Sequence, residues 1–490
     1  MKVALIHSGS LRLGPAPLAS ISLAAMLRSK NIEVEVINFD GYPITYEYFL
    51  RKLDGKRPDV IGFTAHTMPM LERTCILTEY AKKEFPDAKI FWGGVHASIF
   101  PKEVLNELPV DVVVVGEGDF TILELINSLN NKLDFSEIKG IAYRKGKEII
   151  VNQERPIIED LNVLPMPAWD MINFSEHLYV YLIESRGCPF RCRFCYNKMR
   201  KRYRTRSVDN VVNEIKYLYD TYKLRTFKFW DDLPFGGSKE KMIEFCEAIN
   251  SHRMKIMWSA FTRNEMIDES VLKAQEKAGC IRLSIGVESG SQRMLDKINK
   301  STKVEKYVKS YDLMNKFKMS TVASMMIGLP DENYEDLKAT LRLAKRIKAT
   351  EYYAQNFKPY PGTDMYPEAL GKFKEPENIY QWARFCSFDK TNINLSNIKT
   401  SDLLKARKEI FSLENRPKKW FYIFKGALHQ FKATPFIEFK VALKLMQNSV
   451  LYKGKQVHPQ SFDKMVEVLG YNPIKIKTAN QLKSECLGDN

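Results

Sequence analysis

Twice along its length the sequence alternates short β-rich runs with helical stretches, which confines it to parallel α/β architecture. The first series passes from Val3-Ala4-Leu5-Ile6 through a helical stretch at Leu18 to Ser29 into Val34-Glu35-Val36-Ile37. It continues with Val60-Ile61-Gly62-Phe63, Lys89-Ile90-Phe91-Trp92 and Asp111 to Val115. Each run ends in small or polar residues, and ligands of open α/β sheets sit at such strand ends. The second series predicts strands near Val180 to Ser185, Thr226 to Trp230, Met257 to Phe261, Ile281 to Val287, Thr321 to Ile327 and Glu351 to Phe357. Amphipathic helices separate them, most clearly Val211 to Tyr222 and Lys239 to Asn250. Six strands are too few for a closed eight-stranded barrel, so an open, partial barrel is expected.

Between the two series, Gly140 to Val151 reads as a hairpin pivoting on Lys145-Gly146-Lys147, and Pro156, Pro165 and Pro167 break regular structure. Beyond about residue 375 the strand signal fades, with helices expected at Asp402 to Leu413 and Thr434 to Gln447. The expected division is therefore a Rossmann-like, doubly wound parallel sheet over 1–135, a linker over 136–175, a partial (β/α)6 barrel over 176–375 and a basic, mostly helical segment over 376–490. A length of 490 residues suits two or three such units.

The formal net charge of +16 raises nucleic acid, anionic lipid or a phosphorylated substrate as a partner. The charge is concentrated: residues 391–490 hold 17 Lys and Arg against 8 Asp and Glu, so the excess belongs largely to the C-terminal segment. Within it, Arg416-Pro-Lys-Lys-Trp-Phe-Tyr-Ile-Phe-Lys425 sets aromatics beside Lys. This suits a membrane interface, with a lipid-like substrate, or a helix packed on the barrel with its Lys outward. No run approaches the roughly 18 to 20 apolar residues of a spanning helix, and no signal peptide is evident. A cytoplasmic location is expected.

The strongest chemical signal is Glu184-Ser-Arg-Gly-Cys188-Pro-Phe-Arg-Cys192-Arg-Phe-Cys195-Tyr196. Three thiolates spaced C-x-x-x-C-x-x-C after a strand can hold three irons of a cubane cluster, leaving the fourth iron open to a substrate or cofactor. Arg186, Arg191 and Arg193 would offset the negative charge. The bland alternative is a zinc knuckle completed by a residue such as His177.

This motif resembles that of the radical S-adenosylmethionine superfamily. The resemblance implies that Cys188, Cys192 and Cys195 hold a 4Fe-4S cluster, that S-adenosyl-L-methionine chelates the open iron, and that Tyr196 packs near the adenine. It also implies a reducing partner such as flavodoxin or ferredoxin. Asp231 and Asp232, after the second strand, would accept from the cofactor ammonium. Glu288 and Ser289, after the fourth, would bond ribose or amino groups. Gly328, after the fifth, would permit close backbone approach. Each could instead be an ordinary strand-end turn.

The N-terminal region resembles the cobalamin-binding domain preceding the barrel in one branch of that superfamily. The matching stretches run from Pro17 to Asn38, from Asp59 to Thr64, from Trp92 to Ser98, and over Val115-Gly116-Glu117-Gly118-Asp119. Thr64, Gly93, Gly94, Gly116 and Glu117 are the implied cobalamin contacts. The D-x-H-x-x-G motif for a cobalt-ligating His is absent, and His7, His66 and His96 lie in other contexts, so an axial His is not expected. A Rossmann-like module without a cofactor is the alternative. A nicotinamide site is disfavoured, because Gly9-Ser-Leu-Arg-Leu-Gly14 is not G-x-G-x-x-G.

The function implied is a cobalamin-dependent radical enzyme, chiefly a methyltransferase acting on an unactivated carbon of a small molecule. A second reading is a cyclase, oxidase or rearrangement enzyme with the same cofactors. A third is a basic nucleic-acid-binding protein with a structural metal, which charge alone supports weakly.

Overall fold

The computed structural model describes residues 1–9, 16–67, 70–174, 177, 180–196, 202–385 and 393–431; the helix expected at Thr434 to Gln447 and the Ser10 to Gly14 part of the glycine run lie outside them. The chain opens with β1 (Lys2–His7), α1 (Leu18–Arg28), β2 (Glu33–Asn38), α2 (Tyr46–Lys52), β3 (Val60–Thr64), α3 (Met70–Glu84) and β4 (Lys89–Gly93). Then come α4 (Val95–Ile99), α5 (Pro101–Glu107), β5 (Val112–Val114), α6 (Gly118–Asn131), β6 (Ile141–Lys145) and β7 (Glu148–Val151). The sheet order is β2-β1-β3-β4-β5-β6-β7, parallel through β5. Its Val- and Ile-rich strands are covered on both faces, as parallel sheets require. Ala24, Leu27, Ile122 and Leu125 of α1 and α6 pack on one face. Phe49, Leu77, Ala97 and Val104 of α2 to α5 pack on the other. The topology switches between β1 and β3, which opens a ligand crevice at the strands' carboxyl ends.

The hairpin assigned to the linker belongs to this sheet. β6 pairs antiparallel with β5 and β7 with β6, because Ile141, Ala142 and Tyr143 are apolar enough to be buried beside β5. The rest of the expected linker is a strap pinned near its C-terminal end. The Ala168 N–H donates to Ile21 in α1 at 3.0 Å, and the Trp169 indole donates to Glu214 at 2.8 Å.

The second half follows as β8 (Val180–Leu182), β9 (Ser185–Arg186), β10 (Arg204–Thr205), α7 (Val208–Thr221), β11 (Thr226–Phe229), α8 (Lys239–Ser251), β12 (Met257–Thr262), α9 (Glu269–Lys277) and β13 (Cys280–Glu288). It continues with α10 (Gln292–Lys297), α11 (Val304–Met314), β14 (Ser320–Ile327), α12 (Tyr334–Ile347) and β15 (Glu351–Asn356). Six strands in the order β15-β14-β13-β12-β11-β8 are all parallel, forming the open barrel expected.

The tail is helical as expected, with α13 (Tyr366–Ala369), α14 (Ile379–Ala383), α15 (Thr400–Ser412) and α16 (Arg416–Phe431), but its described part is not a separate body. Ile379 and Trp382 join the core of the first sheet, while Leu403 and Ile410 pack on the barrel. α16 lies across the amino ends of the barrel strands: the Asn415 N–H reaches Thr350, Lys419 reaches Glu351, and His429 meets the Lys255 carbonyl. Its Tyr422 is buried, whereas Trp420 and Phe421 face outward. No described helix is long and apolar enough to cross a membrane.

Candidate active site

Both sheets direct their carboxyl ends at one cavity of about 470 Å³. The first sheet contributes Thr64, Gly93, Gly94, Gly116 and Glu117, and the second half contributes Arg186, Tyr196, Trp230, Asp231 and Asp232. Leu161, Leu164 and Pro165 of the strap close one side. Eight of the expected cofactor contacts, Thr64, Gly93, Gly94, Gly116, Glu117, Tyr196, Asp231 and Asp232, thus line one cavity although they come from loops far apart in the chain, whereas Glu288, Ser289 and Gly328 are not among its lining residues.

The glycines differ in function. A Cβ on Gly116 would meet nothing within 4 Å, and one on Gly93 would touch only Val114 at 3.7 Å, so both leave room for a large ligand against the backbone. Gly94 serves the turn instead. Its φ is +93°, and a Cβ there would lie 2.8 Å from the Ala65 carbonyl.

Glu117 lines the cavity, yet its carboxylate is taken by the second domain: it accepts from Arg204 at 2.9 Å and from the Ile158 N–H at 2.8 Å. Asp119 beside it accepts a two-pronged bond from Arg186 at 2.7 and 3.0 Å. Arg186 is thus an interdomain tie and not the cluster counter-charge expected of it, and Arg193 pairs with Glu368. A cation from another strand end, Arg263 at the end of β12, reaches the cysteine loop. It donates toward the Cys192 sulfur at 3.5 Å and to the Lys300 carbonyl at 2.6 Å, with its guanidinium 3.6 Å from the Phe190 ring centre. Arg263 closes the third-strand run Trp258 to Arg263, which the family resemblance marks as a cofactor-contact stretch; Lys300 carried no such signal.

Cys192 is buried and Cys188 and Cys195 are half-buried on one short loop. Burial pushes the Cys188 thiol up, while the Phe190 N–H and Arg263 oppose that shift. Among the described residues no group of His, Cys, Asp and Glu gathers as ligands of a single ion. Three thiols with cationic and N–H support fit a cluster.

Asp231 buttresses this loop. Its Oδ1 accepts from the Glu184 N–H at 2.7 Å and the Ser185 hydroxyl at 2.8 Å, and burial raises both the Asp231 and Glu184 carboxyls. Asp232, exposed in the cavity, is the carboxylate turned outward. The Tyr196 ring packs against Gly362, where a Cβ would come within 2.3 Å. Glu288 ends β13 at a register shift with φ +64° and pairs with Lys300 at 2.8 Å. Non-glycine residues held there cluster at functional sites. Ser289 does not accompany it: wholly buried, it bonds Thr340 in α12 at 3.1 Å. Gly328 has φ +77°, and a Cβ there would lie 3.3 Å from Leu403 of α15, so this glycine serves the turn. None of His7, His66 and His96 lines the cavity. His96 is buried, which pushes it down to about 3 and keeps it neutral.

Comparison with known proteins bears on these two halves. Residues 182–344 match the Radical SAM superfamily, and residues 10–126 match a B12 binding domain. An anaerobic magnesium-protoporphyrin IX monomethyl ester cyclase of Rubrivivax gelatinosus is 30% identical over 381 residues, covering 74% of this chain and 68% of that protein. The chain belongs to the cobalamin-dependent radical S-adenosylmethionine family. An uncharacterized methyltransferase of Pyrococcus horikoshii is 28% identical over 417 residues, covering 83% of this chain and 89% of the other. In fold, the family member resembles the radical S-adenosylmethionine methyltransferase TsrM from Kitasatospora setae, solved with cobalamin and a [4Fe-4S] cluster. The TM-score is 0.69 at 16% identity, covering 84% of this chain and 91% of that one. A cobalamin-dependent radical enzyme uses a 4Fe-4S cluster, S-adenosylmethionine and cobalamin.

Proposed function

We propose that this enzyme methylates an unactivated carbon of a small molecule, with cobalamin as the methyl carrier. The observation that carries the reading is the shared cavity: glycine-opened strand ends of the first sheet face Tyr196, Trp230 and Asp232 of the second half across it. Bound S-adenosylmethionine and the cluster supply a radical able to remove hydrogen from such a carbon. The protein's own residues hold the parts in place. Cys188, Cys192 and Cys195 would ligate iron, with Arg263 beside Cys192 moderating the charge. Tyr196 and Asp232, which line the cavity, and Glu288 at the end of β13 would contact S-adenosylmethionine, while Gly93 and Gly116 would let cobalamin lie against backbone. The Arg186–Asp119 and Arg204–Glu117 ties fix the distance between the two halves.

The relatives that are 30% and 31% identical are named as ring-forming cyclases, and this favours a second reading in which a ring closes with no methyl gained. Product mass separates the two. With anaerobically loaded enzyme and a candidate substrate, S-adenosylmethionine labelled in its methyl group yields a product heavier by one labelled methyl under the first reading. A product that carries no label while deoxyadenosine accumulates excludes it.

A further inference from the structure

We propose that the barrel end opposite the cavity is a docking face for an anionic lipid bilayer, with Trp420 and Phe421 of α16 entering the headgroup layer and the basic loops of that end meeting the lipid charge. The inference stands apart from the methyl-transfer reading, because it concerns the amino ends of the strands. A helix selected only for solubility turns its lysines to water and its rings to the core. α16 turns part of its surface the other way. Lys419 points inward, to Glu414 at 3.0 Å and Glu351 at 3.6 Å, while Trp420 is 39% and Phe421 60% exposed. The helix also lies flat across its end of the barrel: Asn415 is tied to Thr350 before β15, and His429 to the Lys255 carbonyl before β12. An amphipathic helix with outward Trp and Phe, lying parallel to the face it covers, has the form that settles in a membrane interface.

The loops entering the strands supply the charge. Arg253 and Lys255 precede β12, Lys277 precedes β13, Lys316 and Lys318 precede β14 and Lys348 precedes β15, and all six are exposed. Acids of the same end are already engaged. Glu276 accepts from the Lys318 N–H at 2.6 Å, Asp312 pairs with Arg346 at 2.8 Å, and Glu414 holds Lys419. Helix C-termini gather at this end too, and their dipoles favour some of these cations, but they give no reason for an exposed Trp and Phe. The sequence keeps the same character past the turn of α16: residues 415–460 hold nine Lys and Arg against Glu438 alone. Nucleic acid would meet the same charge, yet it is gripped in grooves whose rings stack on bases, whereas these rings stand on the outer face of a helix. Docked this way, the protein would keep its cavity, at the carboxyl ends of the strands, open to water.

The test sediments the full-length, cluster- and cobalamin-loaded protein with vesicles of phosphatidylcholine alone, or of phosphatidylcholine and phosphatidylglycerol in equal parts. The anionic vesicles should bind it about tenfold or more tightly than the neutral ones, and raised salt should release it. The double variant Trp420→Ser, Phe421→Ser should bind them about tenfold more weakly. The triple variant Lys277→Gln, Lys316→Gln, Lys318→Gln keeps both rings and should lose at least as much; it decides the matter should the ring variant fail to fold. Both variants should retain iron, cobalt and deoxyadenosine formation, since no altered residue lines the cavity. Failure of the unaltered protein to sediment with anionic vesicles, as expected if residues 432–490 cover the rings, overturns the docking face. Equal binding by either folded variant does so too, as does an oligonucleotide that binds more tightly than the vesicles and displaces them.

Discussion

The two parallel sheets end at one cavity but furnish it differently. At the first sheet the strand ends are small: Gly93 and Gly116 leave open space, and the nearby acids Glu117 and Asp119 are turned toward the other domain. At the second, strand ends carry reactive or charged groups, namely the cysteine loop, Asp232, Arg263 and the Glu288–Lys300 pair. The first mouth is built for a large ligand recognised by shape and backbone contact. The second recognises by charge and ligation. Since strands of both sheets share the same parallel geometry, the division of labour lies in the few residues that follow each strand.

Removing the thiols should give the largest separation between the halves. The triple variant Cys188→Ala, Cys192→Ala, Cys195→Ala is expected to lose its iron and all deoxyadenosine formation, while the cobalamin spectrum of the anaerobic protein persists. If cobalamin is lost as well, the two mouths are not independent and the comparison fails. The mirror experiment fills the other side. Gly93 has ordinary backbone angles and open space toward Val114, so Gly93→Leu should fold, keep its iron and bind cobalamin on the order of tenfold more weakly, as overpacking costs about 1 to 3 kcal/mol. Equal cobalt content at limiting cobalamin would show that this glycine does not face the ligand.

Legibility follows the same division. Strand positions are readable because parallel strands buried on both faces are continuous apolar runs, and the cysteine spacing locates the loop that carries it. What the sequence hides is commitment between distant residues. Glu117 and Arg186 look like free site groups until the fold brings Arg204 and Asp119 beside them. Ser289 follows Glu288 directly, yet the turn sends one to Lys300 and the other to Thr340. The β6–β7 hairpin reads as linker because nothing local tells a strand pair that it will find an open sheet edge.

The smallest expected effect concerns how each mouth holds its glycine turn. The Gly116 N–H donates to the Ser98 hydroxyl at 3.0 Å, a neutral acceptor. Gly328 and Leu329 donate instead to the wholly buried Glu332, whose carboxyl burial pushes up to about 7. A carboxyl raised above its unfolded value, about 4.3, contributes stability that is complete below that value and is lost as pH climbs through the folded one. The barrel mouth should therefore weaken between about pH 5 and pH 7 by on the order of 1 kcal/mol, with no counterpart at Gly116. Glu332→Gln keeps one oxygen to accept from both N–H groups, which donate to the same oxygen of Glu332, and removes the ionisation, so its denaturant midpoint should change less over that interval than that of the unaltered protein. Parallel pH profiles for the two proteins would mean that the acid is not what ties this turn to pH.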